Sequence, residues 1–206
     1  MIKRARRRHR PMVLGLTGSI GMGKSAVASM LRRLGVPLFD ADAAVHRLQG
    51  PGGALLPQIE AAFPGTTGPN GVDRQELGAR VFGNGEALKR LERIIHPAVG
   101  RERSRFFRRN RAHPMIVFDV PLLFETGGSA NVDAILVVSA RPWQQRKRVM
   151  ARANMTRAKF RHIRKLQTPD HIKRRHADFI VDTGQTMAET RASVRSLVQY
   201  LRSTLA

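Results

Sequence analysis

A glycine-rich segment near the amino terminus carries the residues best suited to chemistry. The apolar run 12–17 leads into Gly18, and Gly23 is followed by Lys24, Ser25 and a helix-forming run. Glycines let successive backbone N–H groups approach phosphate oxygens, and the start of a helix adds a positive potential at the same place. The spacing is that of a phosphate-binding loop. A structural turn with an incidental lysine is the alternative interpretation.

This segment predicts a site for a nucleoside triphosphate and Mg²⁺, and the family resemblance described below implies that the nucleotide is ATP. In such a loop the lysine reaches the β- and γ-phosphates, so Lys24 is also predicted to act in catalysis, and the Ser25 hydroxyl is predicted to be a metal ligand. The residues predicted to bind the nucleotide are contiguous along the chain: Gly18, Ser19, Ile20, Gly21, Met22, Gly23, Lys24 and Ser25.

Three acids lie where a parallel sheet gathers its ligands. Asp40 and Asp42 end one apolar run and Asp119 ends another. Carboxylates at the carboxyl ends of strands hold a metal ion or accept a proton from an attacking hydroxyl. Strand alternation would send Asp40 and Asp42 to the same side, and we expect Asp42 to be the catalytic base or a metal ligand. Asp119 competes for the metal, and capping of a helix that begins at Ala43 is the alternative role for Asp40 or Asp42.

Two arginines stand four residues apart in a basic part of the chain. Arg148 and Arg152 would project from one face of a helix, where guanidinium groups could stabilise the charge on a transferring phosphoryl group. We predict that both belong to the catalytic set, with two exposed arginines among many as the alternative.

Apolar runs that alternate with helical stretches predict an α/β fold with a parallel sheet. The five strand-like runs are 13–17, 36–39, 115–118, 134–138 and 179–181.

The spacing of these runs is uneven. About 75 residues separate the second run from the third, far more than the dozen or so that a crossover requires, which predicts an inserted helical lobe. Within it, segments 75–82 and 87–95 have helical periodicity. Segment 143–176 predicts two basic helices, with breaks near 154–156 and 168–169. A final helix, 187–205, closes the core.

Composition limits the class of protein. There are 37 Lys and Arg against 15 Asp and Glu, a formal net charge of +22, and such a field attracts polyanions of any kind. The chain has no cysteine, so it can form no disulfide or thiolate metal site. We expect an intracellular, cytoplasmic protein whose basic arm 1–11 is disordered and dispensable.

Several segments together resemble the dephospho-coenzyme A kinase family. The resemblance covers nearly everything from Met12 to Leu205, in the order of the family. It rests on these segments: 16–25, 36–42 with His46, 95–97 (Ile-His-Pro), 121–125 (Pro-Leu-Leu-Phe-Glu), and 167–169 (Gln-Thr-Pro) leading to 177–178. Two positions depart from the family pattern: Ala26 follows the loop serine, and Thr183 replaces an asparagine expected near the adenine.

The resemblance implies a P-loop kinase-type fold, with a five-stranded parallel sheet flanked by helices, an inserted helical substrate lobe and a helical lid. It implies transfer of the ATP γ-phosphoryl group to the ribose 3′-hydroxyl of dephospho-coenzyme A, with Asp42 as base and Arg148 or Arg152 as the lid arginine. The implied organisation is a single domain, 12–206, built of a core (12–42, 115–142 and 177–206), a coenzyme A lobe (43–114) and a lid (143–176).

Two other functions compete with this interpretation. A nucleoside or nucleotide kinase would share the loop and the lid, and a nucleic-acid-binding ATPase would explain the charge. The chain has one Trp, one Tyr and no interleaved pattern of aromatic residues for stacking on bases, which argues against the latter. We expect a protein that needs neither nucleic acid nor a membrane, and a monomer or weak homo-oligomer.

Overall fold

A five-stranded parallel sheet forms the centre of the structure, a computed structural model that describes residues 10–205. Its strands match the five predicted runs: β1 (Met12–Thr17), β2 (Leu38–Asp40), β5 (Met115–Asp119), β6 (Ala134–Ser139) and β7 (Phe179–Asp182). The order across the sheet is β2-β5-β1-β6-β7. The other two strands, β3 (Thr67–Gly68) and β4 (Gly71–Val72), form a short antiparallel hairpin.

The three central strands are buried along their whole length, because helices cover both faces of a parallel sheet. Their continuous apolar sequences are the consequence of this environment. In the register, Met12 of β1 pairs with Met115 of β5 and Leu14 of β1 pairs with Ala134 of β6. The strands therefore deliver the loops that follow β1, β5 and β6 to one edge of the sheet.

Helices fill the connections between the strands. They are α1 (Lys24–Arg33), α2 (Ala41–Gln49), α3 (Leu56–Ala62), α4 (Arg74–Val81), α5 (Gly85–Arg109), α6 (Pro142–Met150), α7 (Arg157–Leu166), α8 (Asp170–Arg175) and α9 (Met187–Leu205), with a 3₁₀ turn at Gly128–Asn131. Val194, Val198 and Leu201 of α9 join the main core, as predicted for the final helix.

The chain divides into two compact units. One contains the chain up to Phe39 together with Asn110 onwards, and the other is Asp40–Arg109. The second unit is mainly helical and has a core of its own, formed by Leu55, Ile59, Phe63, Leu77, Leu91 and Ala98. Its role as a substrate lobe stays a prediction.

Two helical predictions need correction. Helix α5 extends from Gly85 to Arg109 instead of ending near residue 95, and Pro97 lies inside it. A proline removes one backbone hydrogen bond, but Leu91 and Ala98 are buried in the core of this unit, and this packing keeps the helix continuous. Segment 143–176 forms three helices, because Pro169 starts the short helix α8 after the second break.

The amino-terminal arm is described only at its end. Residues 1–9 of the predicted arm lie outside the described part of the chain. Arg10, which was assigned to the arm, instead packs on the fold and forms two hydrogen bonds with Asp133, of 2.9 and 2.7 Å. Between residues 10 and 205, no helix is long and apolar enough to cross a membrane.

Candidate nucleotide and phosphoryl-transfer site

The glycine-rich loop lies between β1 and α1, as its sequence predicts. Gly21 and Gly23 have φ values of 77° and 89°, a region that favours glycine. A Cβ atom at Gly18 would lie 2.7 Å from the carbonyl oxygen of Val138, so this position also requires glycine. Gly23 is the N-cap of α1 and has no side chain to cap it, which leaves the helix start suited to an anion.

Lys24 and Asp119 are brought together at the end of the loop. The Lys24 ammonium forms an ion pair with the Asp119 carboxylate, which is buried at the end of β5. Ser25 is the second residue of α1, and its side chain is exposed. A lysine, a hydroxyl and a carboxylate are therefore placed around the start of one helix.

Asp40 is the last residue of β2, but Asp42 lies in α2, so the prediction from strand alternation is wrong. The Asp40 carboxylate accepts a 2.9 Å hydrogen bond from the Ala43 amide and caps α2, which begins at Ala41. The chain therefore turns into a helix before Asp42, where the two-residue period no longer applies. The capping alternative for Asp40 is confirmed. Asp42 belongs to the second unit, and its role as base or metal ligand stays a prediction.

Arg148 and Arg152 differ in their environments, so the prediction of a shared helix face is also wrong. Helix α6 ends at Met150, and Arg152 lies beyond it with an exposed side chain. Arg148 is half-buried and donates hydrogen bonds to Thr183, from Nη1 to Oγ1 at 3.0 Å and from Nη2 to the carbonyl oxygen at 2.6 Å.

Thr183 supports the phosphate loop from behind. Its hydroxyl donates a 2.7 Å hydrogen bond to the carbonyl oxygen of Met22, and a Cβ atom on Gly23 would lie 2.8 Å from that hydroxyl oxygen. In the sequence, Thr183 stands out only as a departure from the family pattern near the adenine. Its contact with the loop could not be predicted, because Thr183 lies 160 residues from Gly23 in the sequence.

Two glutamines next to the loop were missed as site residues. Gln145 of α6 and Gln167, just after α7, both form hydrogen bonds with the Ile20 backbone. A signal for Gln145 did exist, because it is four residues before Val149 and shares the buried face of α6. Gln167 was recognised only as part of a family segment.

A buried ion pair lies beside this region. Lys173 is fully buried on α8, and its Nζ lies 2.9 Å from Oε1 of Glu125. The same oxygen accepts a 2.7 Å hydrogen bond from the Thr168 amide. Burial alone would raise the pKa of Glu125, but the Lys173 ammonium and backbone amides stabilise the carboxylate and hold its pKa below the usual value.

The donor set fits a nucleoside triphosphate with Mg²⁺. The glycines leave no room for side chains beside the loop, and Lys24 supplies positive charge at its end. The Ser25 hydroxyl and one carboxylate are oxygen ligands of the kind that Mg²⁺ takes together with phosphates. Within the described ranges there is no cluster of three His, Asp or Glu side chains that could hold a metal ion. Mg²⁺ in kinases is typically held by one or two carboxylates and by the substrate itself.

The fold and the loop define the class of protein as a P-loop kinase. A family model described as dephospho-CoA kinase matches residues 12–189. The dephospho-CoA kinase of Novosphingobium aromaticivorans is 63% identical over 193 residues, which cover 94% of this chain and 96% of that protein. The chain belongs to the dephospho-CoA kinase family. It is therefore an enzyme, a kinase that takes its phosphoryl group from ATP.

Solved structures agree with this fold. The crystal structure of a Thermus thermophilus protein has a TM-score of 0.81 and 31% identity, and the match covers 93% of this chain and 97% of that one. A dephospho-CoA kinase from Campylobacter jejuni has a TM-score of 0.65 at 23% identity, with 92% and 96% of the two chains covered. At that identity the second match supports the fold alone.

Proposed function

We propose that this enzyme transfers the γ-phosphoryl group of ATP to the ribose 3′-hydroxyl of dephospho-coenzyme A, the final step of coenzyme A biosynthesis. Membership of the family supports the choice of acceptor. The observation that carries the assignment of the site is the Lys24 ammonium, which Asp119 holds where the glycine loop meets α1.

In the proposed reaction the acceptor oxygen bonds to the γ-phosphorus while the bond from that phosphorus to the β–γ bridging oxygen breaks, and ADP leaves. The loop amides and Lys24 hold the phosphates in place, since such transfer depends mainly on positioning and charge stabilisation. Asp42 accepts the proton from the 3′-hydroxyl. Ser25, with Asp119 or Asp42, would hold Mg²⁺, which neutralises charge on the phosphates when bound. Arg148 or Arg152 stabilises the transferring group.

The assignment of substrate is tested by product analysis. The full chain is incubated with ATP, Mg²⁺ and either dephospho-coenzyme A or a panel of nucleosides and nucleotides, followed by mass spectrometry. We expect one phosphoryl group to be added to dephospho-coenzyme A, with one ADP formed per product. Phosphorylation of a nucleotide in its place, or ADP without a phosphorylated coenzyme, would refute the proposal.

Two substitutions test the proposed roles of site residues. Lys24→Ala is expected to lower kcat/KM by about 10²- to 10³-fold, because phosphate charge is left unneutralised, and Arg195→Ala on α9 is the exposed control.

Asp42→Asn should lower kcat more than it weakens ATP binding. Asp73→Asn is its control, because Asp73 caps α4 and asparagine caps equally well. An unchanged rate for Asp42→Asn would move the role to Asp119.

We also propose that the enzyme acts in the cytoplasm as a monomer or weak homo-oligomer, and that it needs neither nucleic acid nor a membrane. A size-exclusion profile and an assay free of nucleic acid test the oligomeric state and the nucleic-acid requirement.

A further inference from the structure

The peptide groups of Ile20, in the middle of the phosphate loop, are held from two directions. The Ile20 amide donates a 3.0 Å hydrogen bond to Oε1 of Gln167. The Ile20 carbonyl oxygen accepts a 2.8 Å hydrogen bond from Nε2 of Gln145. Gln145 lies in α6 and Gln167 directly follows α7, so the loop is clamped between these two segments.

Each glutamine is itself fixed by its surroundings. Gln145 is 5% exposed and lies on the buried face of α6, next to Val149. Gln167 precedes Thr168, whose amide is bound by the Glu125 carboxylate, and Lys173 forms an ion pair with the same carboxylate oxygen. The buried ion pair therefore holds the turn that carries Gln167.

The Ile20 N–H group, which belongs to the segment predicted to bind the nucleotide, is bonded here to a side chain of the protein. Both polar groups of Ile20 are bonded, so the backbone on either side of it cannot rotate without breaking a hydrogen bond. The neighbouring loop amides are then held in position before a ligand arrives. A site held in its binding geometry spends less of its interaction energy on ordering itself, and it binds more tightly.

We propose that Gln145 and Gln167 are positioning residues that fix the phosphate loop through Ile20, and that Glu125 and Lys173 keep Gln167 in place. The proposal rests on the proposed function, because it takes the loop to be the nucleotide site. It also connects the predicted lid to the loop at two positions, Gln145 and Gln167.

The clamp itself is tested without nucleotide, by hydrogen exchange of the Ile20 amide in protein labelled with ¹⁵N-isoleucine. Gln167→Leu removes the acceptor and is expected to speed exchange of this amide at least about tenfold. Gln167→Glu keeps an acceptor oxygen and should restore slow exchange. Gln199→Leu makes the same chemical change on the exposed face of α9 and should change nothing. Equally slow exchange in Gln167→Leu and the unaltered protein would overturn the proposal.

The consequence for binding is tested by ATP titration and steady-state kinetics. Gln145→Leu and Gln167→Leu are each expected to raise the Kd and KM for ATP about tenfold, the effect of one missing hydrogen bond, while kcat stays within about threefold. The double variant should lose less than the product of the two single effects, because both glutamines act on Ile20. Unchanged ATP affinity in both single variants, or a loss confined to kcat, would refute the positioning role.

Thermal unfolding separates this role from a general loss of fold. Gln145→Leu places an apolar side chain at a buried position, and Gln167→Glu keeps the hydrogen bond to Ile20, so both variants are expected to fold. They are used for the test if Gln167→Leu does not fold. If the proposed function is wrong, the experiments would give a different result from failure of the positioning role. The unaltered protein would then bind no ATP, while the exchange of Ile20 would still decide whether the clamp exists.

Discussion

Arg148 and Arg152, the two arginines of the predicted catalytic set, have different surroundings. Arg148 is bound to Thr183, and Thr183 in turn bonds to Met22 of the phosphate loop. Its guanidinium therefore supports the loop from behind. Arg152 lies beyond the end of α6 with an exposed side chain, and its catalytic role stays a prediction.

This difference predicts two distinct phenotypes. Arg148→Ala should lower the free energy of unfolding by about 1–2 kcal/mol as well as the activity, because it removes two hydrogen bonds to Thr183. Arg152→Ala should leave the melting temperature within about 1 °C and lower kcat about tenfold or more. Thermal unfolding and steady-state kinetics on both variants check this, with Arg195→Ala as the exposed control. A loss of stability shared equally by both variants would contradict it.

At the scale of elements, the Glu125–Lys173 pair joins the segment after β5 to α8. Both side chains are largely removed from solvent, at 14% and 0% exposure. Removing one partner of such a pair leaves a buried charge without its counter-charge. This is far more destabilising than replacing both residues by apolar ones. The connection between these two elements therefore depends on the ionised state of Glu125.

This dependence gives a pH prediction with a defined sign. The pKa of Glu125 is lowered in the folded protein, so its contribution to stability is complete above the usual pKa of about 4.3 and is lost as the pH falls through the lowered value. Glu125→Gln should cost about 3 kcal/mol at neutral pH and flatten the decline of stability below about pH 4.3.

Urea unfolding measured from about pH 7 to about pH 3 tests it, a range that spans the titration of a carboxyl group. Glu92→Gln, on the exposed side of α5, is the control. Parallel pH profiles for the unaltered protein and Glu125→Gln would show that Glu125 is not the group responsible.

The elements show what a sequence can reveal about this protein. All five strands of the sheet were predicted, because burial on both faces leaves a continuous apolar run that can be read locally. Helix α5 was predicted too short because Pro97 is a local signal for a break, and tertiary packing overrides it. Asp42 was placed in a strand because the strand alternation was extended past Asp40. In the structure Asp40 caps α2, which begins at Ala41, so Asp42 is helical.

The candidate site was only partly predictable, because some of its contacts join residues that are far apart in the sequence. Its loop is contiguous in sequence, so Lys24 and Ser25 could be identified from spacing alone. The contacts that brace the loop come from Gln145, Gln167 and Thr183, which are more than 120 residues away. No local pattern encodes such pairings, since they depend on how the sheet orders its strands.

At the scale of the whole molecule, the net charge of +22 suits an enzyme whose two proposed substrates are polyanions. The charge is unevenly distributed: residues 141–176 hold thirteen Lys or Arg and one acid, Asp170. Residues 2–9 add five more basic residues. If the fold supplies the charge that the substrates need, these five should be dispensable for catalysis, and they should matter only for weak binding to other polyanions.

Deletion of residues 2–9 tests this division, since it lowers the net charge from +22 to +17 and leaves Arg10 bonded to Asp133. We expect kcat and both KM values to stay within about twofold and the melting temperature within about 1 °C. Binding to duplex DNA should weaken, and its salt dependence should become shallower by about 0.9 for each phosphate that the arm neutralises. Deletion of residues 2–10 is the matched comparison. It removes the Arg10 ion pair as well, and we expect it to lower the melting temperature by about 2–4 °C. Loss of kinase activity in the shorter deletion would place the arm in the reaction and favour a function that involves nucleic acid.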